Sequence, residues 1–193
     1  MLERLLGRLQ RLTNRSTAQP NAWKRSVVTP RLDEFGPGAR HEFDHYLAGE
    51  STVAVSTLED VQQWLLGCAY VSDEALFHED DVWQHPSAFE QRRAGDCEDF
   101  ALWAWRKLCE LGVDAEFVVG ACSSRGSEPV RHAWLVIRVD EVEYLFEPAA
   151  AERERMVMPL SVVRECYVPH VGVDRRAQRF SFRGNHGRNP WGQ

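Results

Sequence analysis

Leu2, Leu5, Leu6, Leu9 and Leu12 recur at helical spacing with arginines on the opposite face, which predicts an amphipathic N-terminal helix. Residues 14–40 are rich in Pro, Gly, Ser, Thr and Asn and read as linker. Thr57, with Asp60 three residues on, forms a capping-box pattern. Val61, Trp64, Leu65 and Cys68 then share one face, predicting a helix to about Tyr70. Pro86-Ser87 opens a short helix that runs to about Arg92. The strongest helical pattern covers residues 97–111, with Asp96 as N-cap, Glu98 and Asp99 in the first turn and Gly112 as the stop. Phe100, Ala101, Ala104, Leu108 and Leu111 mark its apolar stripe. Apolar, β-rich runs follow at 116–122, 132–140 and 142–148. Residues 176–193 have the composition of a tail. Helices first, then a central helix, then an antiparallel sheet is an α+β order. The chain divides into an N-terminal helix and linker (1–50), a catalytic domain (51–170) and a basic tail (171–193).

Composition narrows the class. The chain has 193 residues, 44% hydrophobic and 27% charged, which suits a globular domain. No apolar run approaches the roughly 20 residues a bilayer span needs. Arginines interrupt the leucines at the N-terminus, so it does not read as a secretory signal, and a cytoplasmic location is expected. Cysteines at 68, 97, 109, 122 and 166 are odd in number and form no C-x-x-C, which argues against a disulfide framework or structural zinc. Residues 1–25 carry net +5 and residues 170–193 net +4, leaving −15 for the middle of a chain whose total is −6. An acidic body does not read as a nucleic-acid binder. The basic N-terminal helix packs on its own domain or touches a membrane surface, the first being the commoner use of an amphipathic helix.

Ala94-Gly95-Asp96-Cys97-Glu98-Asp99-Phe100 raises the chemical question, because acidic neighbours disfavour a thiolate. A helix N-terminus favours one, and it offers the Cys97 backbone N–H as an oxyanion donor. A nucleophile also needs a base and a group that orients the base. His132 opens one β-run and Glu147 closes the next. A hairpin turning at Asp140-Glu141 sets residue 132 opposite 149, with Glu147 its diagonal neighbour on the same face. A slip of one residue would separate the two.

These pieces resemble the transglutaminase-like superfamily, and most of all the bacterial transglutaminase-like cysteine proteinases of the LapG type. The matching residues are Asp81, Trp83 and Pro86, then Gly95-Asp96-Cys97-Glu98-Asp99 with an aromatic residue and Ala101 behind it, then His132-Ala133-Trp134, then Glu147. They span residues 81–148. The resemblance implies a papain-like α+β core, with the cysteine helix packed on an antiparallel sheet. It implies Cys97 as nucleophile, His132 as general base and acid, and Glu147 as orienter. It offers Trp83 and Gln84 as oxyanion-side or cleft residues, Trp83 being alternatively a packing anchor. It also implies that Asp96 and Glu98 hold calcium, for which helix capping is the plainer account. Glu147 stands where Asp is usual in that group, and the substrate of its periplasmic, adhesin-cleaving members does not transfer.

A second motif competes. His41-Glu42-Phe43-Asp44-His45 matches H-E-x-x-H, which on a helix sets two imidazoles on one face for zinc, with Glu42 as base. Glu59 or Glu74 would have to serve as third ligand, and the flanks lack an apolar stripe. The leading expectation is a cysteine hydrolase that cleaves a peptide or amide bond of a protein or peptide substrate through a thioester. Transamidation or deamidation of protein Gln, a non-catalytic binding module and a zinc peptidase are the alternatives.

Overall fold

The computed structural model describes residues 23–183 apart from 27, 124–126 and 141; the expected helix over residues 2–12 lies outside them. Two short strands, β1 (Ala69–Tyr70) and β2 (Ala94–Gly95), pair in parallel as a ribbon just ahead of the cysteine helix. The other six are β3 (Asp114–Cys122), β4 (Val130–Val139), β5 (Val142–Phe146), β6 (Val157–Pro159), β7 (Tyr167–Val173) and β8 (Arg179–Ser181). They form one antiparallel sheet in the order β6-β5-β4-β3-β7-β8. The fold is α+β, with the helix that Cys97 opens packed on the antiparallel sheet.

The cysteine helix runs Cys97–Glu110 and packs between β3 and β4 on one side and the helices Asp44–Leu47, Leu58–Leu65 and Pro86–Arg92 on the other. It is therefore buried on every face from Glu98 to Leu108 rather than along one stripe. Trp103 and Trp105 are fully buried, and the Trp103 ring stacks on Trp64 at 3.9 Å. A buried indole removes roughly 150–250 Å² from water, worth about 4–6 kcal/mol before entropy. Burial on all sides traps two basic residues, and each finds acceptors. Arg106 donates to the Ala48 and Gly49 carbonyls and to Glu110. Lys107 donates to Ser51 and to the Val53 carbonyl, and pairs with Glu90 at 3.5 Å. These bonds clamp residues 48–53 onto the helix.

The capping box at Thr57 is formed, with Asp60 answering the cap, but its helix ends at Leu65 and Ala69–Tyr70 is strand. The helix Pro86–Arg92 has the expected bounds. The structured body reaches past 51–170 at both ends. Phe35, Phe43 and Tyr46 are fully buried, so the later part of the expected linker belongs to the core. β7 and β8 extend the sheet through the first part of the expected tail, with Phe180 and Phe182 packed on its second face. Gly and Pro report backbone freedom, and the interleaved aromatics in these segments supply the burial.

The β4–β5 hairpin pairs Val139 with Val142, the register that places residue 132 opposite 149. On the other side of β4, His132 is the Cα partner of Gly120 in β3. A Cβ at Gly120 would press on the Val168 carbonyl and lie 2.7 Å from the Trp134 ring. Gly120→Ala is therefore expected to destabilise the fold by about 1–3 kcal/mol, the usual cost of overpacking. The denaturant midpoint measures it, and an unchanged midpoint would mean that β7 gives way freely.

Candidate functional site

Gly95 brings two helices together ahead of the thiol. Asp99, in the first turn of the cysteine helix, accepts the Gln84 backbone N–H at 2.7 Å and a bond from Gln84 Nε2. A Cβ at Gly95 would overlap the Asp99 carboxylate and sit 2.7 Å from Gln84 Nε2, so glycine is required for the approach. Gln84 Nε2 also donates to the Ala94 carbonyl, and its Oε1 accepts from Arg92 at 3.0 Å. Its side-chain donors thus hold Asp99 instead of facing an oxyanion. The Trp83 indole N–H donates to Asp81 at 2.8 Å, and its ring packs on Phe117 and Phe43. Trp83 is placed as a packing anchor.

Asp96 takes an extended N-cap conformation, but its side chain makes no capping bond. The carboxylate turns instead into a cluster with Asp73, Asp81, Glu98 and Asp99. Asp96 Oδ1 and Asp73 Oδ1 are buried without a hydrogen-bond partner. Asp81 is the neutralised member: Arg131 donates to it at 2.9 Å, and so does the Gly38 N–H. Burial raises Asp73 to about 6 and Asp99 to about 8. Burial also pushes Glu98 well above the carboxylate range, with Asp96 reinforcing it.

Cys97 lies at the start of this helix, where backbone N–H groups have no intrahelical partner. The cysteine helix packs against β4, and the Ala133 N–H of that strand is among the groups acting on the thiol, lowering its pKa. The thiol itself donates to Glu98 Oε2 at 3.1 Å. Burial first, then the Glu98 and Asp96 charges, hold the Cys97 pKa well above that of an ordinary thiol.

His132 Nε2 lies 2.7 Å from Glu147 Oε2. An ionised carboxylate only accepts, so Nε2 carries the hydrogen and Nδ1 is left for the thiol side. Glu147 Oε2 also accepts the Tyr167 hydroxyl at 3.0 Å, and Oε1 accepts the Ala149 N–H at 3.3 Å. The structure thus joins His132 to Glu147, adds Tyr167 on the same carboxylate, and gathers Asp73 with the acids that flank Cys97; the sequence marked neither Tyr167 nor Asp73. No local pattern singles out Tyr167; only the pairing of β7 with β3, which sets it opposite Cys122, brings it in. Asp73 opens the helix Asp73–Phe77 and looks like any first-turn acid.

The H-E-x-x-H residues do not assemble a site. The helix there covers only Asp44–Leu47, the His41 and His45 rings stack at 4.2 Å, and Glu42 faces Arg179 at 3.5 Å. Among the described residues, the metal-ligating groups include neither histidine, nor Glu59 or Glu74. Cys68, Cys109 and Cys122 are half-buried, as core residues would be, whereas Cys166 is exposed. A cavity of about 620 Å³ lies elsewhere, lined by Trp23, Arg25, Glu116, Arg138 and Phe182 among others. Its arginines are already paired with Glu116, Asp114 and Glu143.

The family model of the bacterial transglutaminase-like cysteine proteinases matches residues 14–156. The chain belongs to this family. Its members are cysteine peptidases, which act on protein substrates. An EGTA-treated LapG from Legionella pneumophila superposes with TM-score 0.51 and 21% identity, over 67% of each chain. Another structure of that LapG gives 0.50 and 20%, over 69% of this chain and 72% of the other. A calcium-bound form gives 0.46 and 22%, over 60% and 62%. At such identities the likeness shows the fold. A search of curated proteins returns no match.

The acidic cluster makes stability depend on pH. Asp73 and Asp99 bind protons more tightly folded than at the ordinary value of 3.8. Their contribution is full below that value and is lost as pH rises through about 6 and about 8. In chelating buffer, the thermal midpoint is expected to fall between these limits, and Asp73→Asn to flatten the lower part of the fall. A midpoint that rises over the same range would contradict the assignment.

Proposed function

We propose that the protein hydrolyses a peptide bond through a thioester on Cys97, with His132 and Glu147 completing a catalytic triad. The observation that carries this reading is the 2.7 Å His132–Glu147 bond, on a strand packed against the helix that Cys97 opens. His132 takes the thiol proton as Cys97 Sγ attacks the carbonyl carbon, then gives it to the departing amine. Water attacks the thioester with His132 as base, releasing the carboxylic acid and restoring the thiol. Glu147 keeps the imidazole in the tautomer that leaves Nδ1 free to take a proton. The unpartnered N–H groups at the start of the cysteine helix are the donors nearest the developing oxyanion.

The acidic cluster fits calcium, a hard cation that takes oxygen ligands. Asp73, Asp96 and Glu98 would hold it, since Asp73 and Asp96 have buried oxygens without partners while Asp99 and Asp81 are already bonded. Bound there, calcium supplies positive charge against the two carboxylates that disfavour the Cys97 thiolate.

Cleavage of a protein substrate is expected to vanish in Cys97→Ala and to fall by ~10²–10⁴-fold in His132→Ala, the usual share of a general base. Full cleavage by Cys97→Ala would sink the reading. Separately, calcium is expected to speed iodoacetamide labelling of Cys97 and EGTA to slow it, with the response lost in Glu98→Gln. Labelling indifferent to calcium in the unmutated protein would remove the ion from the scheme.

A further inference from the structure

We propose that Tyr167 is a positioning residue for the triad, fixing the Glu147 carboxylate through the same oxygen that receives the His132 imidazole. The proposal rests on the reading of Cys97, His132 and Glu147 as a catalytic set. Its geometry is independent of that reading. Tyr167 opens β7, two strands away from His132, and its hydroxyl donates to Glu147 Oε2 at 3.0 Å. Its ring packs edge-on against Trp134 at 5.2 Å and lies 6.3 Å from the His132 ring. Trp134 in turn lies under the imidazole, the two rings 6.1 Å apart and 27° from parallel. One side chain therefore touches the acid, the ring that supports the base, and the neighbourhood of the base itself.

A buried tyrosine takes whatever acceptor is near, so the bond alone does not establish the role. Three features do more. First, the acceptor is the atom that orients His132, not Oε1, which already has the Ala149 N–H. Two donors on Oε2 and one on Oε1 leave the carboxylate little freedom to rotate, and the imidazole plane follows it. Second, the Glu147 backbone just beyond β5 is pinned by its N–H on the Met156 carbonyl, so what remains to be fixed is the side chain, which takes its direction from its partners. Third, burial, the Glu147 charge and Cys122 all push the phenol well above its ordinary value, so the hydroxyl remains a donor. Around the pair stand His132 from β4, Cys122 from β3, and Tyr70 from the ribbon, which feels the Glu147 charge. Among the described residues, the groups bonded to Glu147 and Tyr167 include no lysine or arginine.

Sharing Oε2 has an electronic consequence. The Tyr167 hydrogen bond draws charge from the oxygen and so moderates its pull on the His132 N–H. Removing the hydroxyl should leave a stronger but less directed His132–Glu147 bond. The test is the ¹⁵N-histidine-labelled protein in neutral buffer, with the His132 Nε2–H resonance assigned by its loss in His132→Ala. In Tyr167→Phe that resonance is expected downfield of its normal position, while Cys97 labelling by iodoacetamide slows by roughly 3–10-fold, the scale of one hydrogen bond. An unmoved resonance in folded Tyr167→Phe makes Tyr167 a packing residue and overturns the proposal. Should that variant fail to fold, replacing the tyrosines with 3-fluorotyrosine decides the matter: a more acidic phenol must shift the resonance upfield, and no shift refutes the role. Labelling of Cys97 that is unaffected by His132→Ala would refute the triad instead, leaving the Tyr167 result readable on its own.

Discussion

The Gln84–Asp99 clasp ties the first turn of the cysteine helix to the segment that leads into the helix Pro86–Arg92. It costs a buried carboxylate, and the cost is accepted at a helix end where free N–H groups offset part of it. Everything nearby adjusts to that choice. Gly95 has no side chain because the clasp fills its space. Asp96 cannot cap and turns toward Asp73. Arg131 reaches back from β4 to tie Asp81 and the Phe35 carbonyl, which draws the N-terminal segment over the same region. The thiol sits within this arrangement, where burial first and then the Glu98 and Asp96 charges oppose its ionisation.

The other half of the site is assembled from the sheet. His132 comes from β4, Glu147 from just beyond β5 and Tyr167 from β7, and β3 lies between β4 and β7. Gly120 on β3 lets Trp134 and the β7 backbone close in beneath His132. The two halves meet where the cysteine helix packs on β3 and β4, a contact that fully buried residues such as Phe117, Leu135 and Trp105 hold.

Much of this was legible in the chain. The helix beginning at Cys97, the capping box at Thr57 and the β4–β5 register all follow from local periodicity and turn chemistry. Those signals are short-range, and the hairpin brings His132 and Glu147 together with only two residues between its strands. Asp73 and Tyr167 escaped notice because their roles depend on contacts across 23 and 20 residues to Asp96 and Glu147, with nothing local to mark them. The burial of Phe35, Phe43 and Phe182 was hidden by Gly- and Pro-rich surroundings, which describe the backbone's freedom and not what its aromatics pack against. The acidic run around Cys97 was visible, but its electrostatic outcome depends on depth below the surface, which a sequence does not encode directly.

The strand order has a consequence for how the enzyme comes into being. β7 is the last of the long strands to be made, yet it lies against β3, near the middle of the sheet. A chain emerging from the ribosome can form the cysteine helix and the β4–β5 hairpin early, since their contacts are local. Insertion of β7 beside β3 closes a loop of more than forty residues and belongs to the slow, non-local part of folding. Until that step Glu147 lacks the Tyr167 hydroxyl and the Trp134 indole lacks the Tyr167 ring. The topology therefore acts as a timer: the His132–Glu147 pair gains its last support only when β7 has been made and docked.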